Sequence, residues 1–457
     1  MSAIPRTRPG RGALTLALLA AGGAACGPVS EPARSGPRPP HVLFVTIDTL
    51  RADHLGLYGY DRPTSPALDA FAETATVFDA AQSSSSWTLP SLASALTGHY
   101  TSTHRCWGFS SRLDDSFTTL TEVLLAGGYD TACVTSHVFT TTRHGLQQGF
   151  VHFDDSFAYP AVPAEKAVTS GEISDRGLAF LEQKAAVRDR QGEDEPWFLW
   201  LHYFDPHDEY VRHAGVTELF EDPPPANELE VARALYDGEI RFTDGHVGRV
   251  FAALERLGFA DDTVVVVLSD HGEEFGDHGQ RGHGHTLFRE LVRVPFLIRA
   301  PGTDPGRVAS AVRTVDLMPT VLDLVGLRGP GDLPGVSLAG LMRGRSDGRD
   351  LPALAELDQW DRNALESLQE GRWKYMRRQL EGDAWEERLY DLEADPGEAR
   401  DVAADHPDVA AQLRQKLERM RRAARKLGEE YGRAGDLQLS GGETGSIEGL
   451  GYVGGDD

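Results

Sequence analysis

Val264-Val-Val-Val-Leu-Ser-Asp-His-Gly272 sets an unbroken aliphatic run directly ahead of an Asp-His pair. A continuous apolar run, without the alternation of a half-exposed strand, is the pattern of a strand buried on both faces of a parallel sheet. Two further runs read the same way. His41-Val-Leu-Phe-Val-Thr-Ile47 ends at Asp48, and Trp197-Phe-Leu-Trp-Leu-His202 leads to Asp205, His207 and Asp208. Between them, helical spacing covers 65–75, 120–126, 170–187, 228–257 and 317–325, with a short strand at 131–135. Strands alternating with helices predict an α/β fold with a large, mostly parallel sheet flanked by helices on both faces. Ligands of such sheets bind beyond the carboxyl ends of the strands, so the polar residues that follow the apolar runs are the candidates for chemistry.

Outward from this core the texture changes twice. Arg6, Arg8 and Arg11 precede an apolar run from Ala13 to Ala25, and residues 1–25 contain no acid. This is the pattern of a secretion signal over 1–26, too short to span a bilayer, which takes roughly 20 apolar residues. Cys26 follows Gly-Gly-Ala-Ala, as in a bacterial lipoprotein signal. Lipidation there would tether an exported protein to the periplasmic side or the cell surface; ordinary secretion is the alternative. Residues 27–40 are rich in Pro, Gly and Ser and read as a linker. The catalytic domain is expected at 41–330. A smaller C-terminal α+β subdomain is expected at 331–435, with a hairpin (373–376 with 388–390) and a charged helix near 405–430. A loose tail fills 436–457. No transmembrane helix is expected in the mature chain.

The 457 residues carry 45 Lys+Arg against 70 Asp+Glu, a net charge of −25. That balance excludes a nucleic-acid partner, which requires a basic face. Three cysteines exclude a disulfide scaffold. Cys106 and Cys133 either pair or stand as buried thiols.

Asp48 and the Asp270-His271 pair are oxygen and nitrogen donors at strand tips, suited to a divalent cation. Glu273, Glu274 and Asp277 read as a solvated acidic loop. Thr88 opens Thr-Leu-Pro-Ser-Leu-Ala-Ser-Ala-Leu-Thr-Gly98, a helix with Pro90 in its first turn and Gly98 as its stop. At a helix N-terminus Thr88 is either a cap or, beside a metal, a nucleophile. After the Trp197 strand, His202 and His207 can donate to an oxyanion or protonate a leaving group, or serve as loop hydrogen-bonders.

Together these segments resemble the sulfatase family of the alkaline phosphatase superfamily. Phe44-Val-Thr-Ile-Asp-Thr-Leu-Arg-Ala-Asp-His-Leu-Gly-Leu-Tyr-Gly59 resembles its first metal motif. Thr88–Gly98 resembles the signature Cys/Ser-x-Pro-Ser-Arg-x-x-x-x-Thr-Gly. Asp205-Pro-His207 resembles the segment with a substrate-binding His, and 269–278 and 285–295 resemble the second metal motif and the stretch after it. Residues 315–324, 335–338 and 389–396 resemble later landmarks. The resemblance implies an alkaline phosphatase-like fold. It also implies one divalent metal (Ca, Mn, Zn or Mg) held by Asp48, Thr88, Asp270 and His271. His207 and His285 would contact the ester, with His283 the rival of His285. His271 tilts the metal toward Zn or Mn.

Departures accompany the match. Thr88 stands where the family makes formylglycine from Cys or Ser, so no formylglycine is expected. Leu92 replaces the Arg, Thr49 the second Asp, and Ser136-His137 stands near the usual Lys-x-His. The expected activity is metal-dependent hydrolysis of sulfuric or phosphoric esters of a small molecule or glycan, with Thr88 as nucleophile. The alternatives are transfer of a phospho-alcohol to an envelope glycan, and a glycan-binding protein without catalysis.

Overall fold

The computed structural model describes residues 38–158, 168–192, 194–345, 351–358, 364–382 and 384–439. The expected signal with Cys26, most of the linker and most of the tail lie outside the described residues. In chain order the strands are β1 (His41–Ile47), β2 (Thr76–Gln82), β3 (Asp130–Thr135), β4 (His152–Asp154), β5 (Trp197–Tyr203) and β6 (Thr263–Ser269). There follow a short ribbon of β7 (Glu274–Phe275) and β8 (Arg281–Gly282), then β9 (Phe296–Arg299) and β10 (Gly306–Arg313). Eight of these form one sheet in the order β10-β2-β9-β6-β1-β5-β3-β4. Its pairings are parallel except the two made by β9.

The apolar runs are continuous because both faces of the central strands are covered. Val42 and Phe44 of β1 enter one core with Phe198, Trp200, Val264 and Val266. Leu43, Val45 and Ile47 enter the opposite core with Leu199, Leu201, Val265 and Val267. Period-2 geometry sends successive side chains to opposite faces, so a strand in the middle layer needs apolar residues at every position. Helices Ser170–Gln191 and Glu228–Arg256 cover the second face. Helix Thr88–Thr97, every residue of it buried, covers the first. Cys106 and Cys133 are both buried free thiols, which settles the question of pairing.

A second sheet, β11 (Ala353–Leu357), β12 (Leu365–Glu370), β13 (Trp373–Gln379) and β14 (Trp385–Asp391), is an antiparallel meander. Helix Pro407–Gly428 packs on it through Leu413 and Leu417. Among the described residues no helix is long and apolar enough to cross a membrane.

A buried polar node ties this second sheet and its helix to the segment Thr101–His104, which follows helix Thr88–Thr97. Arg421 Nε donates to Glu356 Oε1 at 2.8 Å, and its guanidinium also pairs with Glu366. Glu356 in turn accepts from the Ser102 backbone N at 2.9 Å. Removing one member of a buried charge pair leaves the other uncompensated. Arg421→Ala is therefore expected to cost roughly 3–5 kcal/mol in urea unfolding. The exposed neighbour Arg422→Ala should stay within about 0.5 kcal/mol. Equal effects of the two would refute the node.

Candidate active site

Strand register brings the site together. Ile47 of β1 lies beside Ser269 of β6, so Asp48 and Asp270 leave neighbouring strand tips side by side. On the other flank Thr46 pairs with His202 of β5, and His202 with Thr135 of β3, two residues before His137. All of these side chains are buried. Asp48, Asp270 and His271 offer ligand atoms within 4.8 Å of one another. His271 Nε2 lies 3.6 Å from Asp48 Oδ1 and 3.5 Å from Asp270 Oδ2.

Three features fit this set to a cation. Asp270 Oδ1 accepts from the backbone N of His271 at 2.9 Å, while its Oδ2 is buried and accepts no hydrogen bond. His271 Nδ1 donates to the Gly272 carbonyl at 2.9 Å, which turns Nε2 toward both carboxylates. Burial and the neighbouring Asp48 push the Asp270 carboxyl above its ordinary range. Lone pairs and like charges converging in a dry place are what a divalent ion relieves.

The loops around the set are held from several directions. Thr49 sits at φ 53°, a left-handed conformation costly for a β-branched residue, and its N–H points to Asp270 Oδ1 at 3.3 Å. Tyr236, from the helix behind, donates to Thr49 O at 2.7 Å and accepts from Arg51 N at 2.9 Å. Arg51 joins the loops that follow Asp48 and Asp270, pairing with Asp53 and Asp277 and donating to Glu273 O. Gly272 is required by contact: a Cβ there would meet the Glu290 carbonyl oxygen at 1.9 Å.

Thr88 is the first residue of its helix, not a cap: Trp87 holds the N-cap position, without a side-chain cap bond. Its hydroxyl instead faces the ligand set, 3.3 Å from His271 Nε2 and 3.5 Å from Asp48 Oδ2. Gly98 ends the helix in the left-handed conformation, as expected.

The histidines separate. His283 packs against His271 and His207, with ring centroids 4.5 and 4.7 Å apart, and its Nδ1 meets Glu273 Oε1 at 3.0 Å. His285 Nε2 is instead engaged by Glu274 Oε2 at 2.9 Å, beside a cavity of about 90 Å³ lined by Phe288, Met376 and Arg388. Asp205 serves as a cap, accepting from the backbone N of Thr169 and Ser170 at 2.7 and 2.8 Å. Glu273 and Glu274 are buried, which corrects the expectation of a solvated loop, whereas Asp277 reaches the surface. Burial raises the Glu273 carboxyl to about 7 and holds His283 down to about 3 and His202 to about 4.

Two residues that sequence reasoning left out of the ligand set also belong here. His202 lies inside β5, not beyond its tip, and His137 reaches the same cluster. A histidine within an otherwise apolar buried run was the available signal, because such a group needs a partner.

Carboxylates and imidazoles set around a helix-terminal hydroxyl at the tips of a parallel sheet are a donor set that could hold a divalent cation. Residues 40–327 match the sulfatase family, and residues 276–423 match the family described as N-sulphoglucosamine sulphohydrolase, C-terminal. The chain belongs to the sulfatase family. It is 27% identical over 432 residues to a choline-sulfatase of Rhizobium meliloti (strain 1021), covering 80% of this chain and 82% of that protein. Its fold is similar to that of the phosphonate monoester hydrolase of Agrobacterium radiobacter, with a TM-score of 0.69 at 22% identity, covering 84% of this chain and 96% of that one. A structure in complex with its substrate D-glucosamine-2-N,6-O-disulfate has a TM-score of 0.68 at 18% identity, covering 85% of this chain and 99% of that one.

Chelator-treated protein is expected to gain thermal stability on addition of Mn²⁺ or Zn²⁺, and Asp270→Asn should lose most of that gain. At an ion concentration 100 times the Kd, linkage gives about 2.7 kcal/mol. A Tm indifferent to the ions in the wild type would refute the assignment.

Proposed function

We propose that this member of the family cleaves phosphoric esters, with Thr88 as the nucleophile. The observation that carries the reading is the place of the Thr88 hydroxyl, within 3.5 Å of both His271 Nε2 and Asp48 Oδ2. Asp48, Asp270 and His271 would hold the divalent ion, with the Thr88 oxygen beside them. When bound, that ion supplies a Lewis acid that favours the ionised hydroxyl at neutral pH.

The chain's own groups do the rest. Thr88 Oγ1 bonds to phosphorus as the ester oxygen departs, and water then cleaves the phospho-threonine. His207 and His283 face the same space and offer N–H groups to the ester oxygens. Glu273 fixes the ring of His283 through the 3.0 Å contact at Nδ1. His285, engaged by Glu274, is assigned to orienting that carboxylate rather than to the ester.

The choice of phosphorus follows from what Thr88 lacks. An aldehyde hydrate carries two hydroxyls, so after one is esterified the other can expel the anion without attack at sulfur. Threonine has one hydroxyl, and its ester is resolved only by attack at the central atom. Such attack is ordinary at phosphorus. A second reading, hydrolysis of a sulfate ester, is favoured by the 27% identity to a choline-sulfatase across most of the chain.

With Mn²⁺ or Zn²⁺ present, turnover of p-nitrophenyl phosphate or bis-p-nitrophenyl phosphate is expected to exceed that of p-nitrophenyl sulfate. Thr88→Ala should lower kcat by about 10³-fold or more, while Thr88→Ser keeps measurable turnover. Sulfate turnover above phosphate turnover, abolished in Thr88→Ala, would move the assignment to sulfur. Full activity of Thr88→Ala would remove Thr88 from the chemistry.

A further inference from the structure

We propose that His137, His202 and Asp48 form a second metal site, making the centre binuclear with Asp48 as the bridging carboxylate. The proposal rests on reading Asp48, Asp270 and His271 as the first site.

Asp48 is shared by two ligand groups. Oδ1 lies 3.6 Å from His271 Nε2, on the side of Asp270. Oδ2 lies 3.4 Å from His202 Nε2 and 3.9 Å from His137 Nδ1. The ligand atoms of Asp48, His137 and His202 fall within 4.8 Å of one another, as do those of the first group. Asp48 thus stands between the two donor sets, with Oδ2 also 3.5 Å from the Thr88 hydroxyl, and a carboxylate so placed can bridge two ions.

The second group is prepared in the way metal-binding histidines are. His202 Nδ1 lies 2.7 Å from Thr46 Oγ1, which also accepts from Trp200 Nε1 at 2.9 Å. Donation from Nδ1–H to that hydroxyl leaves Nε2 as the donor atom toward Asp48. His202 Nε2 is fully buried and makes no hydrogen bond. The His137 ring is fixed by Phe204 and Phe139, with centroids 4.7 and 5.2 Å away.

Charge then separates the two sites. The first group holds two carboxylates and one imidazole, and suits any divalent ion. The second adds two neutral imidazoles to a shared carboxylate, a donor set that favours Zn²⁺, Mn²⁺ or Fe²⁺ over Mg²⁺ or Ca²⁺. One ion balances Asp48 and Asp270; two leave the centre with an excess of two positive charges. A phosphate monoester dianion would balance that excess.

The test is electron paramagnetic resonance of the full chain loaded with Mn²⁺, together with the ion count per chain after desalting. Two ions and an exchange-coupled spectrum are expected for the wild type. His202→Ala and His137→Ala should each hold one ion with an uncoupled spectrum, and Thr88→Ala should keep the coupled pair. One ion and an uncoupled signal in the wild type at saturation would overturn the proposal, as would a coupled pair that survives both histidine substitutions. The readout is of the resting enzyme and independent of turnover, so a failure of the Thr88 chemistry would show in the hydrolysis assay and leave this spectrum unchanged.

Discussion

Asp48 and Asp270 are like charges held side by side in a place that solvent does not reach. Burying a carboxylate is costly, and burying two side by side adds their repulsion. The surrounding structure can be understood as the means of holding them there. Parallel register fixes the two strand tips, and Tyr236 clamps the loop that follows the first. Arg51 ties that loop to the one after the second, where Gly272 lets the backbone close against Glu290. None of these contacts lowers the repulsion itself. What remains is a carboxylate pair that a bound cation would stabilise, and such an ion would link the protein's stability to its chemistry.

Much of this was legible in the residues because buried parallel strands leave a strong pattern. The runs at 41–47, 197–202 and 264–268 coincide with β1, β5 and β6 within a residue or so, and the ionisable groups after them mark the site. What escaped notice was polar chemistry inside the apolar runs. His202 sits within β5 and its bond to Thr46 depends on cross-strand register, which a single segment does not encode. The weaker strands β2, β9 and β10 were also missed. Thr76–Gln82 interrupts its apolar residues with Asp79, and half of β10 reaches solvent, so neither shows a clean period. Burial of Glu273 and Glu274 was unreadable for a related reason: a dense acidic stretch looks solvated until its partners, His283 and His285, are brought to it by the fold.

The departures from the family signature have a structural logic. Leu92 is completely buried in the apolar core beneath the helix that carries Thr88, so the position offers packing and no charge to the site. Thr49, where the family places a second acid, contributes only its backbone N–H, toward Asp270. Counting Ser136-His137 in place of Lys-x-His, the departures remove two cations and one anion relative to the signature, and leave Asp48 and Asp270 as the buried charges of the ligand set. The hydroxyl of Thr88 remains aimed at that set.

This balance bears on how an anionic ester can bind at all. The chain as a whole carries −25, so the long-range field repels an anion rather than steering it in. Burial keeps His202 and His283 neutral at physiological pH, since their conjugate acids form only near 4 and 3. Neutral imidazoles can donate hydrogen bonds to ester oxygens, but they supply no net charge to offset the two carboxylates. On the proposed reading, attraction for the substrate comes from the metal, and the metal-free site would repel it. Metal dependence in such a centre belongs to recognition as much as to catalysis: without the ion, the affinity for the anion falls before any step of the chemistry is reached.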